Sequence, residues 1–204
     1  MNREQTGPFD VSEVDEDPSI ERIDLGSLLI PAREGVEVQV QADQSTGAIV
    51  AVTLATGSGA VQVQAFAAPK SAGMWQDVRT QILDGLGGGG GLGELAEGPF
   101  GPEIRAQVNA GDGSSALQPA RFVGVDGPRW FLRGIFLGAA ARPGAAADLV
   151  DDVFRSVIVV RGREAMPVGS PLPMRLPGMA EQTSVSGMSL PSPFERGPEI
   201  TETR

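Results

Sequence analysis

The side chains able to do chemistry in this chain are few in kind. It has no histidine, cysteine or tyrosine, and its single lysine, Lys70, stands against fifteen arginines. Without His or Cys there is no Ser-His-Asp or Cys-His nucleophile, no imidazole acid–base pair, no disulfide and no Cys- or His-ligated metal site. Carboxylates, a Ser-Lys pair, or serine and backbone groups alone are what is left. Lys70 beside Ser71 is the one candidate for a Ser-Lys arrangement, yet it falls at a strand-to-helix turn with no second serine at a recognisable spacing. The run Gly87 to Gly91 offers consecutive amides to a phosphate. It lacks the Gly-Lys-Ser/Thr ending of a phosphate loop and follows a helix pattern, so it reads as a connector. Asp148 and Asp152, one helical turn apart, and the acidic trio Asp15-Glu16-Asp17 are candidate holders of a divalent cation. Carboxylates near a helix start and a solvated acidic tail account for both. No catalytic residue, metal ligand or cofactor is assigned, and an enzyme is not expected.

By elimination the candidate contacts for a partner or an anion are Arg121, Arg129, Arg133 and Trp130, all on the stretch Ala116 to Gly138. That stretch reads as two long strands joined at Val125-Asp126-Gly127-Pro128. Alternation places Arg129, Phe131 and Arg133 on one face with Ile135 and Leu137, and Trp130, Leu132, Gly134 and Phe136 on the other. Bulky apolar groups on both faces predict that both are partly covered. An arginine held there pairs with an anionic ligand, with acidic residues of a partner, or internally with Asp or Glu. Gly124, Gly134 and Gly138 point to bulges or close backbone contact.

The elements that must position this hairpin follow from periodicity. Val36 to Gln41, Ala48 to Ala55 and Ala60 to Ala67 alternate with period two and are separated by the turns DQSTG and TGSG, which predicts a three-stranded meander. From an N-cap at Ser71, Trp75, Val78, Ile82 and Leu86 form a helical stripe that ends at the glycine run. A strand at Ile104 to Val108, the turn NAGDGSS, the hairpin and a helix over Ala145 to Val157 repeat the plan, so duplication of a strand-strand-strand-helix unit is a possibility. On the second helix Leu149, Val150, Val153, Phe154 and Val157 share a face, with Asp148, Asp151 and Asp152 opposite. Val157 to Val160 either extends that helix or forms a last strand. Asp24 to Pro31 is a first strand or edge piece. The expected fold is α+β: an antiparallel sheet of about six strands in two meanders, each followed by an amphipathic helix.

Residues 1 to 19 are acidic and aperiodic and are expected to be a disordered tail, leaving a single domain over 20 to 163. Residues 164 to 204 are rich in Pro and Ser and are expected to be mostly disordered, although PVGSPLPMRLP (Pro167 to Pro177) is able to lie extended along the domain. The net charge of −10 argues against nucleic acid. The amino terminus lacks an apolar leader and no run is long enough to span a membrane, so the cytoplasm is expected.

The pieces GPFD (Gly7 to Asp10), DLGSLLIP (Asp24 to Pro31), VQAFAAPKSAGMW (Val63 to Trp75), EGPFG (Glu97 to Gly101), LQPARFVGVDGPRWFLRG (Leu117 to Gly134), VFRSVIVVRG (Val153 to Gly162) and PLPMRLP (Pro171 to Pro177) carry a resemblance. On them the chain resembles an uncharacterised actinobacterial family, the domain of unknown function 3710, which brings no established activity. The antiparallel sheet followed by a helix ending in F-R-S-V is further similar to the Mog1/PsbP-like fold, whose members are largely binding and assembly proteins. Together these imply a non-catalytic cytoplasmic protein-binding or adaptor module with an unidentified protein partner. The alternative is a small anionic-ligand or nucleotide-phosphate-binding protein that uses the hairpin arginines.

Overall fold

The computed structural model describes residues 3–176 apart from 16, 18, 44–46, 72, 89–91 and 110–115. The chain runs through α1 (Arg3–Thr6), β1 (Phe9–Asp10), a 3-10 turn (Val11–Glu13), β2 (Arg22–Asp24), β3 (Leu28–Pro31), β4 (Glu37–Ala42), β5 (Ile49–Ala55) and β6 (Gly59–Ala67). It continues through α2 (Trp75–Gly88), β7 (Leu92–Gly98), β8 (Gly101–Asn109), β9 (Leu117–Gly127), β10 (Trp130–Gly138), a second 3-10 turn (Ala139–Ala141), α3 (Ala145–Arg155) and β11 (Ile158–Val159). The alternating segments form strands where they are expected to. β10 pairs antiparallel with β6, Phe131 opposite Phe66, and this pairing joins the two meanders into one sheet of order β4-β5-β6-β10-β9-β8-β7. The expected count of about six strands is therefore corrected. Among the described residues the large sheet has seven, because Leu92–Gly98 adds β7 as an outer strand on β8, and a second sheet of four short strands has the order β1-β11-β3-β2.

The two faces of the large sheet are covered differently. On one, Val52, Leu54, Val61, Val63, Val123, Val125, Trp130, Leu132 and Phe136 meet Val150, Val153 and Phe154 of α3 and Leu25, Leu28, Ile30 and Val159 of the small sheet in one buried cluster. Gly134 makes room for α3, since a Cβ there would lie 2.8 Å from the Phe154 ring. On the other face α2 lies over β7, β8 and β9. Trp75 stacks near Phe131 at 6.1 Å and rests on Gly124, where a Cβ would come within 2.3 Å of the indole. The two helices thus sit on opposite faces, so the halves are not superimposable by the rotation that would exchange β6 with β10. The duplicated plan read from the sequence is not a structural repeat.

Three expectations give way to contacts distant in sequence. Ser71 is not the cap of α2: Asp126, in the hairpin, accepts the amides of Met74 at 2.7 Å and Trp75 at 3.2 Å. Part of the stretch 1–19, expected to be a disordered tail, is built into the fold, because β1 pairs in parallel with β11 and the Phe9 amide donates to the Val157 carbonyl at 3.0 Å. The tail expected from residue 164 does not begin there either. The Ala67 amide donates to the Ser170 carbonyl and the Leu172 amide to the Ala65 carbonyl, each at 2.8 Å, so this segment fills the upper end of β6 where β5 no longer pairs with it. Leu172 is fully buried in the core and Met174 bridges to Ile49. Residues 177–204, Glu16, the glycines Gly89 to Gly91, and most of the DQSTG and NAGDGSS turns lie outside the described residues. No helix among the described residues is long and apolar enough to cross a membrane.

Candidate functional site

The four residues singled out from the sequence do not form one site. Trp130 is fully buried, and its indole N–H donates to Asp10 at 2.8 Å. Asp10 is half of an N-terminal clasp: its backbone amide donates to Glu13 at 2.7 Å, and Arg3 grips Glu13 with two bonds of 2.5 and 2.6 Å while lying over the Trp130 ring. That hydrogen bond from Arg3 holds the Glu13 carboxyl below its ordinary value, against a weaker opposing effect of burial. The side chain read as a partner contact is therefore an anchor for the chain's own first residues. Arg129 occupies the hairpin tip with φ +63° and is exposed; its carbonyl accepts from the Ala68 amide and from Arg161.

Arg121 is buried and internally paired. Its guanidinium bonds both oxygens of Asp151 on α3, lies 3.6 Å from Glu103 on β8, and rests over the Phe136 ring at 4.1 Å. Glu103 in turn accepts from Arg105 at 3.0 Å and is packed so closely under Gly98 that a Cβ there would fall 1.8 Å from its Oε2. Burial lifts the Asp151 carboxyl above its ordinary value, and the bond from Arg121 opposes that. A cleft of about 240 Å³ opens beside this network between the β7–β8 turn and α3. Arg121 thereby ties α3 to the sheet, and the half-exposed Arg105 is the second cation of Glu103. Asp151 was read from the sequence onto the solvent face of α3; the structure buries it and leaves Leu149 exposed.

Arg133 projects to the opposite face, where it bonds Gln64 and stacks over Phe66 at 5.3 Å. Its Nε is buried with no acceptor, no carboxylate pairs with it among the described residues, and burial lowers its pKa.

An exposed surface lies elsewhere, on β7. It is, with β4, one of the two terminal strands of the large sheet, bonded among the described residues to β8 alone, and six of its seven residues alternate without settling on one apolar face: Leu92, Glu94 and Ala96 against Gly93, Leu95 and Glu97. Leu92 is 74% exposed and Leu95 59%. Against the Leu92 side runs a groove of about 420 Å³ lined by Glu94, Arg105, Gln107, Pro119 and Arg142 among others. The sequence reading passed over this strand because it follows a glycine run and because leucines on both faces give no amphipathic signal. The alternation of Leu and Glu with small residues was the trace of it.

The chain matches the model of a family described as a protein of unknown function, DUF3710, over residues 7–183, and it belongs to that family. Those bounds take in Asp10 and Glu13 of the N-terminal clasp, though not Arg3, and the segment laid on β6. No curated protein matches the chain.

Proposed function

We propose that this member of the family is a non-catalytic protein-binding module of the cytoplasm, and that its partner adds an extended segment to the free edge of β7. One observation carries the reading: a seven-residue outer strand whose outer backbone edge is unpaired among the described residues and which keeps two leucines exposed. Folded proteins ordinarily blunt such an edge, because unpaired N–H and C=O groups recruit another strand. Strand addition of this kind draws affinity from main-chain hydrogen bonds and specificity from alternate side chains. The missing His, Cys and Tyr and the internal pairing of Arg121 and Trp130 support a role without turnover. The likeness to Mog1/PsbP-like binding proteins supports it by analogy alone.

The test is affinity capture from the native host with the wild-type chain and with a Leu92→Lys/Leu95→Lys double variant. Both leucines are exposed, so the variant keeps its thermal midpoint while it loses the partner. A partner retained by the variant overturns the reading, as does robust turnover of a defined small substrate by the pure chain.

A second reading, a small anionic-ligand or nucleotide-phosphate-binding protein, is favoured by Arg133 alone, whose buried Nε lacks an acceptor. Stabilisation by phosphorylated metabolites at millimolar concentration, lost in Arg133→Ala, would support it, and no stabilisation would remove it.

A further inference from the structure

Resting on strand addition at β7, we infer that the segment taken up there alternates acidic side chains with apolar ones, the acidic set facing the groove beside Arg105 and Arg142. A strand added to β7 would run about 4.8 Å beyond it and send successive side chains to opposite faces. On one face those side chains meet the groove, whose charged lining is Arg105, Arg142 and Glu94, a locally basic patch on a chain of net charge −10. Arg142 is exposed and makes no ion pair among the described residues. Arg105 keeps 46% of its side chain exposed although its Nε is engaged by Glu103. Arg142 selects carboxylates, with Arg105, shared with Glu103, as a second cation behind it, and the rest of the acidic surface repels them, so docking is directed to this edge. On the other face the added side chains lie next to exposed Leu95, which pairs with Ile104 under α2, and an apolar residue covers it best. Seven residues of β7 set the length of the segment at roughly six to eight residues.

The probe is a soluble eight-residue peptide alternating glutamate with valine, compared with one alternating lysine with valine, titrated into the full chain at low and high salt. The expected result is binding of the glutamate peptide with new hydrogen-exchange protection confined to amides of residues 92–98. Arg142→Glu should weaken that binding at least tenfold and shift preference to the lysine peptide, and the tenfold difference should shrink at high salt. The inference is overturned if neither peptide binds or both bind alike. It is also overturned if the outer amides of β7 are already protected without peptide, because the edge is then taken by other residues of the chain or by a second copy. The two proposals fail separately. A partner lost on Leu92→Lys/Leu95→Lys, with no preference for the glutamate peptide, removes only the acidic register, whereas a partner kept by that variant removes strand addition itself.

Discussion

At the scale of single residues, Arg121 is the side chain whose meaning changes most between sequence and structure. In sequence it is one of three arginines on an aromatic hairpin, open to a ligand or to an internal pair, the internal pair being the commoner outcome. In the fold it lies between Asp151 and Glu103, the latter 1% exposed. Arg121→Met would leave Asp151 buried without its cation, while Glu103 keeps Arg105, and removing one partner of such a buried pair typically costs about 3–5 kcal/mol. Urea unfolding should therefore show a sharply lowered midpoint. Replacing Arg121, Glu103 and Asp151 together with apolar residues should recover much of the loss, since no charge is then stranded. Alternation along the hairpin does not name the partner of Arg121. Its partner stands thirty residues away on a helix where three aspartates follow the same polar spacing, and only the packing of α3 on the sheet decides which of them is buried. Gly124 and Gly134 were more legible, because a glycine in an otherwise bulky strand signals a close neighbour, and each proved to lie under an aromatic ring.

At the scale of elements, strands with strict alternation were readable and the pieces that join them at a distance were not. β4, β5, β6 and the hairpin announce themselves through period two, a property of a few adjacent residues. The cap of α2 by Asp126 and the pairing of β1 with β11 are contacts across much of the chain, and no local pattern encodes them. The N-terminal clasp has a pH dependence whose sign follows from Glu13. Its folded pKa is held down by Arg3, so its contribution to stability is present above the unfolded value, near about 4.3, and is lost as pH falls through the lower folded value. Arg3, Glu4 and Asp10 are the charged groups around the clasp. The Trp130 indole N–H resonance reports the hydrogen bond to Asp10. On acidification it should shift as the clasp opens, ahead of global unfolding, and in Glu13→Gln the clasp should already be loosened at neutral pH.

At the scale of the whole molecule, the fold is an open sheet whose two faces are closed by different means, with a large shared core on the α3 side. The segment Gly169 to Met174 belongs to that core, and its fully buried Leu172 makes a direct test. Leu172→Ala should cost about 2–5 kcal/mol, as for other buried leucines, whereas a side chain on a loosely attached tail would cost almost nothing. Composition misled at this point. Prolines and methionines without periodicity describe disorder well in general, but a proline-rich strand suits a site where only some of its amides are needed, and here Leu172 and Arg175 donate the bonds between prolines.

The parallel pairing of β1 with β11 also bears on how the protein is made. Phe9 leaves the ribosome early, yet its strand partner Ile158 is synthesised far later. At translation rates of roughly 5 to 20 residues per second, the first strand waits on the order of 10 to 30 s for that partner. For most of that interval Asp10 has no Trp130 to bind, and although β2 and β3 pair locally, β1 joins the small sheet only once β11 has followed α3. The N-terminal strand thus reaches its native place late, after the local hairpins that precede β11.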